Sequence, residues 1–196
     1  EQRIKWDLER LLGDGKDNYL PVINELEVHA FLDHEFEFNG ETHTIPIHFA
    51  GSIDRGYATE DGTYSLMELK TGKWVQTKNR QDEWTDSRFK MESMRTEMAF
   101  YKKLLGWANH AYQEVSHWGW VYPAGGESKM DDLNKYGYEQ RGVNKITYEE
   151  ATGRRWTTYG NRVDKLITAL LTAYLANDFP TKPSAGKCAW CSFKPI

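Results

Sequence analysis

The fold is decided by Gly51-Ser-Ile-Asp-Arg55 and Met67-Glu-Leu-Lys-Thr-Gly-Lys73, two stretches that flank a turn at Glu60-Asp-Gly62. The residues around them alternate as in β-strands, and two acids followed by glycine are typical of a turn. If the hairpin is symmetric about Asp61, residue 60 faces 62 and 59 faces 63, so the numbers of paired residues sum to 122. The sequence therefore predicts an antiparallel hairpin with a defined register.

This register brings charged residues of the two strands together. It predicts that Asp54 lies directly opposite Glu68, where like charges are unfavourable. Lys70 follows Glu68 by two residues and shares its face of the strand, whereas Leu69 points to the other face. We therefore expect two carboxylates and one amine to converge on one patch.

A divalent cation between the two carboxylates would turn their repulsion into attraction. Oxygen ligands for Mg²⁺ or Mn²⁺, together with a lysine, form the set that phosphodiester hydrolysis requires. On spacing alone a second interpretation has equal weight. In it, Asp54 and Glu68 are charges on a solvated sheet face, paired with Arg55 or Lys70.

These motifs resemble the core of the PD-(D/E)XK nuclease superfamily, in its RecB-like branch of CRISPR-associated and phage exonucleases and AddB-type helicase-nucleases. The resemblance implies a Mg²⁺- or Mn²⁺-dependent DNA nuclease, and within that class an exonuclease. It also implies a restriction-endonuclease-like core, a central mixed β-sheet flanked by helices. The implied metal ligands are Asp54, Glu68 and the backbone carbonyl of Leu69, with Lys70 as the catalytic lysine.

A helix carries the next candidate motif. Apolar residues recur at helical spacing from Met91 to Leu105, and Gly106 can end the helix. The family's Gln-x-x-x-Tyr motif corresponds to Glu97-Met-Ala-Phe-Tyr101, with Glu in place of Gln. The resemblance implies that both residues are catalytic and position water or DNA. The alternative for Tyr101 is a core position of the amphipathic helix.

The order of the predicted elements indicates an α+β domain. Strands are predicted over 26–38, 43–58, 64–69, 115–122 and 145–148, and a second helix over 162–176. We divide the chain into an N-terminal helical segment (1–25), truncated at its start, a nuclease core (26–180) and a cysteine-containing tail (181–196).

The tail resembles the end of iron–sulfur members of the family, on the basis of Cys188-Ala-Trp-Cys191-Ser-Phe193. A [4Fe–4S] cluster needs four thiolates, so the resemblance implies that these two cysteines are part of an iron–sulfur site that a longer form of the chain would complete. A redox pair, a zinc site and two inert thiols are the alternatives. The six histidines offer no pair that is close in sequence, and those at 29, 43 and 48 are expected on a hairpin surface.

The segment from Lys70 to Lys103 is locally basic, with nine Lys/Arg against five Asp/Glu in a chain of net charge −4. Trp74 within it is suited to stacking on bases of single-stranded nucleic acid, and Arg55 and Lys73 to contacting phosphate. The alternative is that the tryptophans pack in the core or at its rim. The expected partners are DNA, single-stranded or with ends, and a helicase or another DNA-processing protein.

Composition bears on where the protein is located and whether it crosses a membrane. The longest mainly apolar run is far shorter than the roughly 18 residues of a membrane span, and two cysteines so close together cannot cross-link a fold. The expected location is the cytoplasm, or the host cytoplasm for a phage- or virus-encoded protein. Two functions compete with the nuclease: an inactive nucleic-acid-binding module of the same fold, and an iron–sulfur or zinc structural domain of a larger DNA-processing complex.

Overall fold

The computed structural model describes residues 21–70, 76–78, 84–86, 88–122, 138–141 and 144–178. The predicted opening helix, the tail and four candidate site residues lie outside these ranges: Lys73, Trp74, Cys188 and Cys191.

The described strands form a mixed six-stranded sheet and a separate two-stranded ladder. The large sheet has the order β1-β2-β3-β6-β8-β7, and its strands are β1 (Ile23–Phe38), β2 (Glu41–Ala58), β3 (Tyr64–Leu69), β6 (Val115–Tyr122), β7 (Tyr138–Arg141) and β8 (Asn144–Glu150). Strands β4 (Gln76–Lys78) and β5 (Trp84–Asp86) form the small ladder. Only β3 and β6 pair in parallel; the other described pairs are antiparallel. The predicted α+β, restriction-endonuclease-like fold is thus confirmed.

The first hairpin joins the two strands that the sequence predicts over 26–38 and 43–58. Asn39 and Gly40 connect β1 to β2 with φ of 53° and 82°, a conformation that Asn and Gly adopt more readily than other residues. Apolar residues recur at every second position in both strands, from Leu26 to Leu32 in β1 and from Ile45 to Phe49 in β2, as in strands with one face towards the core. Strands β1, β2 and β3 form an antiparallel meander.

Two helices cover the sheet, α1 (Arg88–Trp107) and α2 (Gly153–Leu175). Helix α1 packs on β1 and β2 and against α2, and it lies in the chain between the parallel strands β3 and β6. The fully buried side chains that join sheet and helices include Ile53, Leu66, Met98, Leu104, Leu105, Trp118 and Trp120. Neither helix of the described chain has the length and apolar character needed to cross a membrane.

The boundaries of β3 and β6 agree with the sequence prediction. Helix α2 begins at Gly153, nine residues before the predicted start at Arg162. Strand β7 was not predicted, because residues 138–141 follow a polar stretch without clear alternation. Strands β4 and β5 were not predicted either, and the structure corrects the prediction at each of these places.

The turn between β2 and β3 is held by the carboxylate of Asp61. This group accepts hydrogen bonds from the Thr59 and Thr63 hydroxyls and from the Thr63 N–H, and these bonds lower its pKa from 3.8 to about 2. A lowered pKa means that the carboxylate contributes stability above its ordinary pKa and loses it as the pH falls through about 2.

We therefore expect Asp61→Ala to destabilise the protein near neutral pH. It should have little effect near pH 2, where the carboxyl of the wild-type protein becomes protonated. Urea unfolding of both proteins at a series of pH values measures the difference. A ¹³C titration of the Asp61 carboxyl checks the pKa directly. A difference in unfolding free energy that is independent of pH would contradict the charged turn.

Candidate active site

Strands β2 and β3 have the predicted register up to the candidate site. The observed pairs run from Ala58–Tyr64 to Arg55–Met67, and the residue numbers of each pair sum to 122. The pairing stops there, so Asp54 and Glu68 do not form the next pair of the ladder. That they face each other directly therefore stays a prediction, and both lie at the same end of the hairpin, close enough for the Asp54 charge to raise the pKa of Glu68.

Asp54 lies at an interruption of the sheet. The register between β1 and β2 would pair it with Glu25, but this pair is missing, and Glu25 has φ of 53°. Irregular pairing of this kind redirects side chains and is common next to active sites. The Asp54 carboxylate instead accepts the Leu69 N–H, with 2.7 Å between Oδ2 and N. A side chain thus replaces a backbone acceptor where β2 and β3 separate.

Lys70 joins the end of β3 to helix α1. Its ammonium donates to Glu68 at 2.9 Å and to Glu97 at 2.8 Å. The Lys70 N–H donates to the Val121 carbonyl of β6, which fixes the backbone of the residue just after β3. Because these side chains are mostly shielded from water, the ion pairs are stronger than exposed ones. The predicted approach of Lys70 to Glu68 is confirmed.

The electrostatic balance of this cluster is negative. Burial raises the pKa of the Glu68 carboxyl, and the nearby charges of Asp54 and Glu97 raise it further, whereas Lys70 opposes the shift. Burial lowers the pKa of Lys70, but its hydrogen bonds to Glu97 and Glu68 outweigh that effect and raise it. Lys70 is therefore protonated at neutral pH, when one ammonium lies among three acidic side chains.

Tyr101 lies one turn after Glu97 on α1, over the middle of β2. Burial raises the pKa of its phenol, as do the charges of Glu68, Glu97 and Asp54. The phenol is thus neutral and keeps its proton for donation. Gly51 of β2 packs closely against α1: a Cβ atom there would lie 3.1 Å from Leu104 and 3.2 Å from the Tyr101 ring, so a side chain at this position would require the helix residues to shift slightly. The sequence signal for this contact is the absence of a side chain at Gly51, and sequence analysis missed it.

Arg55 follows Asp54 on β2 and is buried. It pairs with Met67 in the register, is 6% exposed, and contacts the Tyr57 hydroxyl at 3.5 Å. Tyr57 and Met67 belong to a small apolar cluster that is separate from the main core. Arg55 was predicted to contact phosphate. Its buried position does not support that prediction.

The donor set fits a hard divalent cation. Asp54 and Glu68 each use one carboxylate oxygen in the contacts above, and the second oxygen of each has no hydrogen bond within the described chain. Oxygen ligands of this kind suit Mg²⁺ and Mn²⁺. The described residues hold no group of three or more His, Cys, Asp or Glu side chains arranged for a metal. A cation bound here would therefore need backbone carbonyl or water ligands in addition.

Comparison with known proteins agrees with this geometry. A search against curated proteins gave no match. A family model described as the PD-(D/E)XK nuclease superfamily matches residues 9–196, nearly the whole chain. The chain therefore belongs to the PD-(D/E)XK nuclease superfamily.

Proposed function

We propose that this protein is a Mg²⁺- or Mn²⁺-dependent DNA exonuclease of the RecB-like branch. The family membership supports nuclease activity. The observation that carries the proposal is the cluster of Asp54, Glu68 and Lys70 around the separated ends of β2 and β3. An inactive binding module would not require a partly buried lysine held by two acids.

In this proposal Asp54, Glu68 and the carbonyl of Leu69 hold the metal. When bound, the ion would polarise the phosphate and activate water for attack on phosphorus. The hydrogen bond from the Leu69 N–H fixes the Asp54 carboxylate and the backbone that carries the carbonyl ligand. One side-chain contact thus orients two of the proposed ligands.

Lys70 places a positive charge beside the proposed metal ligands. Its hydrogen bonds to Glu97 and Glu68 raise the pKa of the ammonium, and this charge would stabilise negative charge that develops on the phosphate. Glu97 holds Lys70 from the side of α1 and fixes its direction. Tyr101 supplies a neutral hydroxyl donor near the same acids. These roles replace the direct contact of Glu97 with water or DNA that the family motif implies.

Lys73 and Trp74 follow the proposed site in sequence and are proposed to bind single-stranded DNA. Trp74 would stack on a base and Lys73 would contact the backbone. Cys188 and Cys191 are proposed as half of a [4Fe–4S] site in a longer form of the chain, and a helicase is the proposed partner. Iron analysis of an anaerobically prepared longer protein tests the cluster.

The decisive experiment incubates labelled single-stranded DNA, double-stranded DNA and RNA with the protein and Mg²⁺, Mn²⁺, Ca²⁺ or EDTA. We expect release of nucleotides from DNA ends with Mg²⁺ or Mn²⁺ and no cleavage with EDTA. Ca²⁺ binds oxygen ligands in a looser geometry, so it should support binding without cleavage. Cleavage of closed circular DNA would contradict an exonuclease, and absence of cleavage with every metal would favour the inactive binding module.

Binding in Ca²⁺ separates the roles of the two DNA-binding residues. Trp74→Ala should lower affinity for single-stranded DNA by about 1–3 kcal/mol and leave its salt dependence unchanged, because no charge is lost. Lys73→Ala should lower the slope of log affinity against log salt by roughly one unit. Titrations at several salt concentrations measure both effects. Binding that is independent of salt would contradict a basic binding surface.

A further inference from the structure

The β1–β2 hairpin has an unusual composition. Residues 22–53 contain six Asp/Glu and four His but no Lys or Arg. Such a segment repels nucleic acid and raises the local concentration of cations. Its charge therefore distinguishes it from the basic stretch that is proposed to bind DNA.

Two of these histidines meet across the strands although they are 19 residues apart in sequence. Nδ1 of His29 lies 2.8 Å from Nε2 of His48. On the other side of its ring, Nε2 of His29 lies 3.1 Å from a carboxylate oxygen of Glu27. The three side chains form a chain on the hairpin surface, where the His29 side chain is 44% exposed and that of Glu27 is 75% exposed. A solvated ion can reach them.

The second ring is held by an aromatic neighbour. His48 stacks on its cross-strand partner Phe31, with ring centroids 4.2 Å apart and an angle of 5° between the planes. Phe31 is 75% exposed, so little else surrounds it. This stacking restricts the rotation of the His48 ring and keeps its Nε2 directed at His29.

Glu27 determines which nitrogen of His29 is available. A carboxylate accepts hydrogen bonds, so Nε2 of His29 carries the proton and Nδ1 has the free lone pair. A carboxylate that accepts a proton from the far side of a ring is the usual neighbour of a metal-binding histidine, because it fixes the tautomer and raises ligand basicity. The lone pair of Nδ1 points at His48, where a second nitrogen lies within reach.

From this geometry we propose that Nδ1 of His29 and Nε2 of His48 bind a late first-row divalent metal ion, with Zn²⁺ as the representative case. Imidazole is a good ligand for this class of ion. The proton between the two nitrogens leaves Nε2 of His48 when the metal enters, and Nδ1 of that ring or the solvent takes it up. Water completes the coordination, since the described chain offers no cluster of three such side chains.

The required movement is small. Zn–N bonds of about 2.0–2.1 Å at a tetrahedral angle place the two nitrogens roughly 3.3 Å apart. The rings must then separate by about half an ångström from their hydrogen-bonded distance, which exposed side chains can accommodate. The site is also separate from the catalytic cluster, because His48 precedes Asp54 by six residues of β2, about 20 Å of extended strand.

Isothermal titration with ZnCl₂ tests the proposal on the full, untagged chain. The titration is carried out in the Cys188→Ser/Cys191→Ser background, which removes the thiols, and in excess Mg²⁺, which occupies the oxygen site. We expect one saturable Zn²⁺ site that His29→Gln or His48→Gln weakens by about tenfold or more. His43→Gln is the matched control, because this histidine lies on the same hairpin outside the pair, and it should keep the affinity. Glu27→Ala should weaken binding by about 10–100-fold.

A spectroscopic measurement makes the result specific. In ¹⁵N spectra of the imidazole rings, Zn²⁺ should shift Nδ1 of His29 and Nε2 of His48, while Nε2 of His29 stays protonated. Equal Zn²⁺ affinity in wild type and His29→Gln, or ring nitrogens that do not shift, would overturn the proposal. Nuclease activity is not part of either measurement, so this result is independent of the proposed function.

Discussion

Lys70→Ala lowers the rate of DNA hydrolysis by about 10²-fold or more if the proposed site is correct, as expected for the loss of a preorganised charge. The ammonium lies between Glu68 and Glu97, at 2.9 and 2.8 Å, and no other cation of the described chain forms an ion pair with either acid. Single-turnover cleavage of labelled single-stranded DNA in Mn²⁺ measures the rate. Glu68→Ala should reduce it by a similar or larger factor, because it removes a proposed metal ligand.

The control uses the neighbouring acid. A glutamine at position 97 still accepts a hydrogen bond from Lys70, so Glu97→Gln should retain much more activity than Glu97→Ala. Circular dichroism and thermal unfolding of each variant separate lost chemistry from lost structure. Cleavage by Lys70→Ala at the wild-type rate would show that the lysine has no catalytic part. Equal loss in Glu97→Gln and Glu97→Ala would show that the charge of Glu97 matters more than its hydrogen bond.

The sequence predicts much of this cluster because strands have a fixed period. Two facts, a turn centred on Asp61 and side chains that alternate between faces, are enough to place Lys70 beside Glu68. Helical spacing likewise places Glu97 and Tyr101 one turn apart. Sequence cannot predict that Glu97 pairs with Lys70, because this contact depends on how α1 packs across β1 and β2.

The remaining differences arise from irregular backbone and from long-range pairing. Glu25 has a positive φ without being Gly or Asn, and nothing in the local sequence signals the missing pair opposite Asp54. The contact between His29 and His48 depends on the length of the first hairpin, so a search for histidines close in sequence fails to find it. Both features are set by strand register, which patterns over a few residues do not specify.

The start of helix α2 is a further feature that the sequence does not predict. Its first nine residues include two threonines and Gly160, which favour helix weakly, so the apolar pattern predicts only the later part. The helix forms there because Tyr159 and Gly160 are buried. In addition, the Lys102 ammonium lies over the Trp156 ring, 4.7 Å from the ring centre. Tertiary contacts therefore supply what the local sequence lacks.

The second large effect that we expect concerns the stability of the fold, through a partly buried ion pair where the sheet meets helices α1 and α2. Arg95 of α1 binds both carboxylate oxygens of Glu149 at the end of β8, with 2.8 Å between Nε and Oε2. The Trp118 indole N–H also approaches Glu149 at 3.4 Å, and Arg95 reaches the Tyr159 hydroxyl at 3.4 Å. The side chains of Arg95 and Glu149 are 23% and 11% exposed. This network links the sheet to both helices.

We expect Arg95→Met to lower the free energy of unfolding by about 1–3 kcal/mol, because it removes both hydrogen bonds of the guanidinium to the shielded Glu149 carboxylate and leaves Arg155, 40% exposed and 3.6 Å away, as the remaining cation. Arg162→Met is the matched control. Arg162 also joins the two helices, through Glu92, but its side chain is 44% exposed, and exposed pairs contribute about 0–1 kcal/mol. Urea unfolding of the three proteins measures the difference.

The double variant Arg95→Met/Glu149→Leu should be more stable than Arg95→Met, because it removes the shielded charge as well as its partner. If Arg95→Met and Arg162→Met lower the free energy of unfolding by the same amount, Arg95 does not stabilise the contact between the sheet and the helices as an ion pair.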